Sequence, residues 1–390
     1  MFILILGDSM KEQILEKYKT MYHKDADGFL VSGGRFEMLG NHTDHNHGKT
    51  LASTCSLVIE GAFAKEENNI VKFFSKGNCE FEISLDNTDV VKEETGSSQC
   101  FVRGVADYLR KHGYKIGGFS AYIESSIPPG SGVSSSAAFE ILIGKIFNKL
   151  YNDNKINILD LCKAGQYAEN NYFGKKSGLL DQIACASMGV SYIDFKNIEQ
   201  PQIEILHNEF KGYKFVIVDT GKSHAELSDL YSSITNDMWN AAKKMGHQFL
   251  RECSREELES HKEELTEGEY NRAKHFFDEN ERVEKGLNCL KNGDFAGFFA
   301  CVKGSEASSR TLLKNAMVND VYEGSLAEAI DISNAAMDNE GASKINGGGF
   351  GGSIICIVPI SKFDKYYDIM KRRYGEKHVF VVSILNETED

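Results

Sequence analysis

Proline is scarce, with four in 390 residues, and the chain carries no long low-complexity linker and no fixed-period repeat. No run approaches the roughly 18 consecutive apolar residues that a membrane-spanning helix needs. The apolar opening, Met1 to Gly7, is too short for a secretory signal and meets Asp8 at once, so a cytoplasmic protein with no membrane partner is expected. No two cysteines form a CxxC pair. The nine stand singly at 55, 79, 100, 162, 185, 253, 289, 301 and 356, which suits neither a disulfide framework nor a zinc ribbon. Basic charge is in deficit, since 44 Lys and Arg against 57 Asp and Glu leave a net charge of -13. With no basic excess to replace counterions, bulk nucleic-acid binding is disfavoured. An anionic small ligand remains open, because it needs only a few local donors.

What is present is an ordinary globular composition: 41% apolar residues and a mean hydropathy of -0.34, enough for a large core. Length suggests two or three folding units. Residues 11–24 carry a helical stripe at Ile14, Leu15, Tyr18, Met21 and Tyr22. The runs GFLVSGGRFEMLG, LASTCSLVIEGAFAK, IVKFFSKG, CEFEISL and AYIESSI continue a strand character to about residue 126. The pattern then turns helical over Ser134–Leu150 and Ile158–Phe173, and SYIDF and YKFVIVDTG read as strands. Residues 224–340 are mostly helical, and a strand (SIICIVPI), a helix near 361–373 and a last strand (HVFVVSIL) follow. The expected class is α+β, β-rich in an N-terminal unit 1–205 and helix-rich in a C-terminal unit 206–390.

The sharpest feature is Ile127-Pro128-Pro129-Gly130-Ser131-Gly132-Val133-Ser134-Ser135-Ser136-Ala137-Ala138, set between a strand and a helix. That order aims free backbone N–H groups and the positive end of a helix dipole at an anion. Gly130 and Gly132 let backbone approach a phosphate without a Cβ in the way. The serines add donors, and one hydroxyl can ligate Mg²⁺. No Gly-Lys-Ser/Thr closes the loop, so it is not a Walker A sequence. The competing reading is a serine-rich helix cap.

A second cluster, Gly347-Gly348-Gly349-Phe350-Gly351-Gly352, precedes a strand rather than following one, so it is not a dinucleotide fingerprint. It reads either as a tight turn or as a second wall of a phosphate or sugar pocket. The segment Gly34-Arg35-Phe36-Glu37-Met38-Leu39-Gly40-Asn41-His42-Thr43-Asp44-His45-Asn46-His47-Gly48 packs three histidines and an aspartate into six positions. Three readings stand open: a metal site using His42, Asp44, His45 and His47, a polar cradle for a polyhydroxylated ligand, or a solvated turn. Arg35 favours a site, since a guanidinium suits a transferring phosphoryl group.

Taken together, these segments resemble the galactokinase branch of the GHMP small-molecule kinases. The family's first motif, GRxNxIGEHTDYNxG, is matched by GRFEMLGNHTDHNHG; its second, PxGxGLSSSAA, by PPGSGVSSSAA; its third, KxxGGGFGG, by KINGGGFGG. Between them AEN…GIMDQ is matched by Ala168-Glu169-Asn170 and Gly178-Leu179-Leu180-Asp181-Gln182, and the motifs follow the family's order. The resemblance implies a two-domain GHMP kinase fold with the active site in the cleft between the halves. It implies Mg-ATP as donor and phosphorylation of galactose at its C1 hydroxyl, in a protein that is a monomer or weak dimer. Asp181 matches the catalytic base and Arg35 the phosphoryl-stabilising arginine. Ser136 and Glu169 match the Mg²⁺ ligands. Gly130, Ser131, Gly132, Val133, Ser134, Ser135 and Ser136 match the nucleotide loop, with Gly348 and Gly349 from the third motif. Asn41, His42, Thr43, Asp44 and Gly178 match the sugar side, and Tyr231, in HAELSDLY, matches a sugar-contacting tyrosine. Asn41 replaces the usual glutamate and His45 the usual tyrosine, which keeps N-acetylgalactosamine, galacturonate and L-arabinose in view as substrates. A sugar-sensing relative without catalysis is a further alternative, against which Ser136-Ala137 is intact.

Overall fold

A computed structural model describes residues 2–128, 130–175, 177–207, 209–221 and 228–386, with side chains for all of these except 2–9 and 228. Pro129 of the glycine loop and His224–Leu227 of the HAELSDLY segment lie outside the described residues. The chain divides into two compact units, neither of them continuous.

The first unit comprises Met1–Gly34, Ser56–Pro128 and Ser134–Ala186. Its elements are α1 (Phe2–Tyr22), the start of β1 (Gly28–Leu39), the end of β2 (Lys49–Lys65), β3 (Ile70–Ser75), β4 (Cys79–Ser84), α2 (Ser98–Lys111), β5 (Phe119–Ser125), α3 (Ser135–Tyr151), α4 (Ile158–Ala168) and α5 (Leu180–Ala186). The strands run in the order β4-β3-β5-β2. β3 pairs β4 antiparallel and β5 parallel, and β2 lies antiparallel to β5 with Ala62 opposite Tyr122. The α1 stripe does what its spacing implies: Ile14 and Tyr18 are buried against Ala62, Ala64 and Tyr122. The Tyr18 hydroxyl lies 2.6 Å from Ser120 Oγ, which satisfies its polar end inside the core.

Two expectations change here. α1 starts at Phe2 rather than at residue 11, and Ser98–Lys111 is a helix where strand character was expected to continue. The helical period is there to read, with Gln99, Arg103 and Asp107 recurring every four residues opposite Phe101, Val102, Val105 and Leu109, although Cys100 through Leu109 are all buried in the fold. Even its charged members are enclosed: Arg103 meets Glu94 at 2.6 Å and Asp107 accepts from Thr88 Oγ1 at 2.8 Å.

The second unit comprises Arg35–Cys55, Pro129–Val133 and Ser187–Asp390. It adds β6 (Val190–Asp194), β7 (Gln202–Leu206), β8 (Tyr213–Asp219), α6 (Ser228–Lys244), α7 (Arg255–Ser260), α8 (Glu267–Lys291), α9 (Phe295–Ser308), α10 (Leu326–Ala336), β9 (Ala342–Asn346), β10 (Ser353–Pro359), α11 (Phe363–Tyr374) and β11 (Val379–Val382). The first half of β2 pairs β6, with Leu51 opposite Tyr192, and β6 pairs β7. A separate antiparallel sheet runs β11-β8-β10-β9. One face of it, Val216, Val218, Ile354 and Cys356, is buried with Leu326 and Ile330 of α10 and Tyr366 and Met370 of α11. A second core joins Ile234 and Met238 of α6 to Phe276 of α8, Leu313 and Phe350.

A cut at 205/206 falls inside β7 and is not where the chain divides. Of the five changes of unit, two come within single strands, at Gly34/Arg35 in β1 and at Cys55/Ser56 in β2. Composition cannot mark such a point, because the strand pattern is unbroken across it. Among the described residues, no helix is long and apolar enough to cross a membrane. All nine cysteines are free thiols.

Ile354 is fully buried in the sheet–helix core. Ile354→Ala is expected to lower stability by about 2–5 kcal/mol, through lost apolar contact and the cavity left behind. The shift in urea midpoint measures it, and a change below about 1 kcal/mol would remove this core from its assigned role.

Candidate active site

In the second unit, the glycine loop is held from below by Arg35 at the point where β1 enters that unit. The Arg35 backbone N–H donates to Val133 O at 2.9 Å and its Nη1 to Gly132 O at 2.6 Å. Asn346, at the end of β9, also donates to Gly132 O, at 3.2 Å. Gly130 and Gly132 have φ of 75° and 72°, left-handed values that glycine adopts without strain. A Cβ on Gly132 would sit 2.6 Å from Ser353 Oγ, whereas one on Gly130 would meet nothing within 4 Å. The loop is thus open at Gly130 and closely backed at Gly132, and Ser131 is buried within it.

The loop 40–48 is built on buried polar groups. Asn41 is 1% exposed and its amide is occupied four ways. Nδ2 donates to Glu37 Oε1 (3.1 Å) and Gly347 O (2.7 Å), while Oδ1 accepts from Asn315 Nδ2 (3.0 Å) and Ser309 Oγ (3.3 Å). Thr43 Oγ1 lies within donating distance of both Gly40 O and Lys49 O, at 2.9 and 2.7 Å. Asn41 and Thr43 therefore shape the loop from inside, while Asp44 is half-buried at the start of a single 3₁₀ turn.

The histidines resolve into a directed chain. Burial pushes His42 down to about 4 and His45 well below its ordinary value, so both rings are neutral near pH 7. His42 Nε2 lies 2.8 Å from Gly348 O, an acceptor, so Nε2 carries the hydrogen and Nδ1 accepts. His45 Nε2 then donates to that Nδ1 at 3.4 Å, and Asn46 Nδ2 donates to His45 Nδ1 at 3.0 Å. The ring lone pairs that a metal would need are already engaged. His47 is stacked on Phe249 with centroids 3.9 Å apart. Among the described residues no three His, Cys, Asp or Glu side chains gather as metal ligands.

The second glycine cluster, Gly347–Gly352, is the connection between β9 and β10, where Asn346 pairs with Ser353. A Cβ on Gly348 would lie 2.1 Å from the Tyr231 ring, and Gly349, at φ 85°, has Asn315 O 2.6 Å from that point. Close packing alone requires glycine here. Tyr231 is 45% exposed and stands 4.9 Å, centroid to centroid, from the His42 ring. On the same helix Trp239, the only tryptophan of the chain, is 42% exposed and donates to His45 O at 3.3 Å.

In the first unit, Ser134 has φ 56° and its side chain does not cap α3. Its Oγ donates instead to Asp181 Oδ2 at 2.6 Å, which ties the start of the serine run to the start of α5. Ser135 is exposed at the first position of α3. Ser136 Oγ lies 3.2 Å from Glu169 Oε1, and Glu169 opens a π-helical turn, Glu169–Phe173. Lys175 Nζ meets the same Oε1 at 2.8 Å, and Gln182 Nε2 meets Oε2 at 3.2 Å. A hydroxyl and a carboxylate oxygen this close suit Mg²⁺, which takes oxygen ligands and keeps several waters. Gly178, half-buried, stands two residues before the start of α5.

Sequence reasoning missed the groups beneath these. Gln182 Nε2 also reaches Glu140 Oε2 at 2.9 Å, and burial, reinforced by Glu169, pushes the Glu140 carboxyl well above the usual carboxylate range. His275 Nε2 donates to Asn41 O at 2.8 Å, and the Gly40 N–H donates to Glu279 Oε1 at 2.9 Å. Lys344, wholly buried in β9, meets Glu37 Oε1 at 2.7 Å. A lysine inside a short buried strand was the one available signal.

Two family models match the chain: the GHMP kinases N-terminal domain over residues 100–189 and the galactokinase galactose-binding signature over residues 16–65. A galactokinase of Streptococcus thermophilus is 30% identical over 378 residues, 93% of this chain and 94% of that protein. A galactokinase of Lactobacillus helveticus is 29% identical over 367 residues, 91% and 92% of the two chains. Among solved structures, Lactococcus lactis galactokinase complexed with galactose matches with a TM-score of 0.82 at 26% identity, covering 96% of this chain and 98% of that one. The Methanococcus jannaschii mevalonate kinase shares the fold, at a TM-score of 0.66 and 16% identity, over 92% and 98%.

The neutral His42 has a consequence for stability. Between its ordinary pKa of 6.5 and its buried value of about 4, the unfolded chain binds a proton that the folded chain does not. Stability from this group is complete above pH 6.5 and falls as the pH drops towards 4, by up to about 3 kcal/mol. His42→Gln should therefore flatten the melting-temperature profile over that interval. Parallel profiles for the two proteins would show that His42 is not held neutral.

Proposed function

The chain belongs to the galactokinase family, and from that premise we propose that it transfers the γ-phosphoryl group of ATP to the C1 hydroxyl of galactose, giving galactose 1-phosphate and ADP. The observation that carries this reading is the Ser134–Asp181 hydrogen bond, which couples a carboxylate directly to the end of the glycine–serine loop. Asp181 accepts the proton of the C1 hydroxyl as its oxygen attacks the γ-phosphorus, and the β–γ bridging oxygen departs with ADP. Arg35, oriented by Gly132 O, offsets charge on the transferring phosphoryl oxygens. Gly130, Gly132 and the uncapped start of α3 supply backbone donors to the nucleotide phosphates. Ser136 and Glu169 would hold Mg²⁺, which would supply neutralisation of phosphate charge. The reading is of a cytoplasmic enzyme acting on a free sugar.

On the sugar side, His42, Asp44 and the exposed Tyr231 form the candidate surface, with Asn41 and Thr43 supporting them. Trp239 reports on it, because its indole N–H is bonded to the backbone of that loop.

Asp181→Asn removes a proton acceptor at almost constant volume. It should lower kcat by roughly 10²–10⁴-fold while galactose still alters Trp239 fluorescence, since binding survives. ATP consumption with galactose, galacturonate and L-arabinose measures the first, and a fluorescence titration the second. A variant within a few-fold of the parent would eliminate Asp181 as the base.

A further inference from the structure

Glu37 and Asn41 are in contact, and both touch what surrounds a buried cation. Lys344 Nζ donates to Glu37 Oε1 at 2.7 Å and to Ile345 O at 2.8 Å, and Asn41 Nδ2 reaches the same Glu37 oxygen at 3.1 Å. All three side chains are buried. In the family's first motif, GRxNxIGEHTDYNxG, the fourth position is asparagine and the eighth glutamate; here Glu37 holds the fourth and Asn41 the eighth. Each change alone is costly. Asparagine at 37 with Asn41 present would leave the Lys344 ammonium without a counter-charge, and glutamate at 41 with Glu37 present would press two carboxylates together. Made together, they keep one carboxylate, one carboxamide and one ammonium in contact, at constant total side-chain volume.

We propose that Glu37 and Asn41 are a coupled exchange about Lys344, and that the trio positions the sugar loop without touching the sugar. The one carboxylate of the trio stands at 37, where Lys344 neutralises it. The carboxamide left at 41 is engaged by Glu37, Gly347, Ser309 and Asn315. It fixes the carbonyls of the β9–β10 connection against the loop, and the Asn41 carbonyl is in turn held by His275. Recognition of the sugar's hydroxyls then falls to His42, Asp44 and backbone groups of the loop. The positioning part of this inference rests on the galactose reading; the exchange itself does not.

The test compares Glu37→Asn, Asn41→Glu and the double variant with the parent, by melting temperature and by KM for galactose and for ATP. Each single variant should melt roughly 5 °C or more below the parent and raise galactose KM about tenfold or more, with ATP KM moving less than about twofold. The double variant should recover most of the lost melting temperature and most of the galactose KM. A single variant that does not fold, beside a double variant that does, gives the same support. Additive losses, or a double variant no better than the worse single one, would overturn the exchange. Recovery of melting temperature with equal rises in galactose and ATP KM for the single variants would overturn the positioning role. A parent protein that phosphorylates no galactose would sink the kinase reading alone, since the melting-temperature cycle still decides the coupling.

Discussion

A lysine ammonium cut off from water must be answered by charge, and the second unit is arranged around that requirement. Removing one partner of such a pair typically costs about 3–5 kcal/mol, so the position of the answering carboxylate is not free to drift. Lys344 sits in β9 and Glu37 in β1, and the Glu37 backbone N–H is also taken by Asn346 Oδ1 at 3.0 Å. The strands that present Arg35 and the glycine-rich connection are thereby fixed in relative height. From Glu37 the constraint passes to Asn41, and from Asn41 to Gly347, Ser309 and Asn315. Glu279 extends it by holding the Gly40 N–H; burial works to raise its carboxyl, but His275, Arg282 and the hydrogen bonds of Ser305 and Gly40 keep it below the ordinary value.

A comparable logic organises the first unit with different groups. There the buried carboxyl is Glu140, and Gln182 links it to Glu169. An amide between two carboxyls separates like charges while hydrogen-bonding to both. In each unit a π-helical turn supplies a polar residue to the network: Glu169 from Glu169–Phe173, and Ser309 from Ser309–Leu313. A π turn widens the helix locally and re-aims a side chain that an α turn would carry past its partner.

The glycine loop, the serine run and the histidine segment were legible from sequence because their chemistry is local. Strand, turn and helix lie consecutively, and left-handed φ at Gly130 and Gly132 follows from residue type. The α1 stripe was legible for the same reason, apart from its start. What escaped was non-local. The division of β1 and β2 between units leaves no compositional trace, whereas α2 carried a helical period that the strand character on either side of it obscured. The structural partners of Asn41, which are Asn315, Ser309 and Gly347, could not be read because they lie far along the chain. The histidines looked like ligands until their hydrogen bonds to each other and to Gly348 O oriented the rings.

The discontinuity of the second unit bears on the order in which it can assemble during translation. Arg35–Cys55 is its first segment to leave the ribosome, yet the strand that pairs with Leu51 and Ala52 begins only at Val190, and Lys344 follows much later. Domains generally fold as units, the N-terminal first as the chain is made. Residues 56–128 and 134–186 therefore complete the first unit while an apolar strand half and an acidic side chain, Glu37, wait without their partners. The glutamate's wait is the less hazardous, since a solvated carboxylate is soluble; the strand half, paired with β1 but with its β6 edge still open, presents unpaired backbone to other chains.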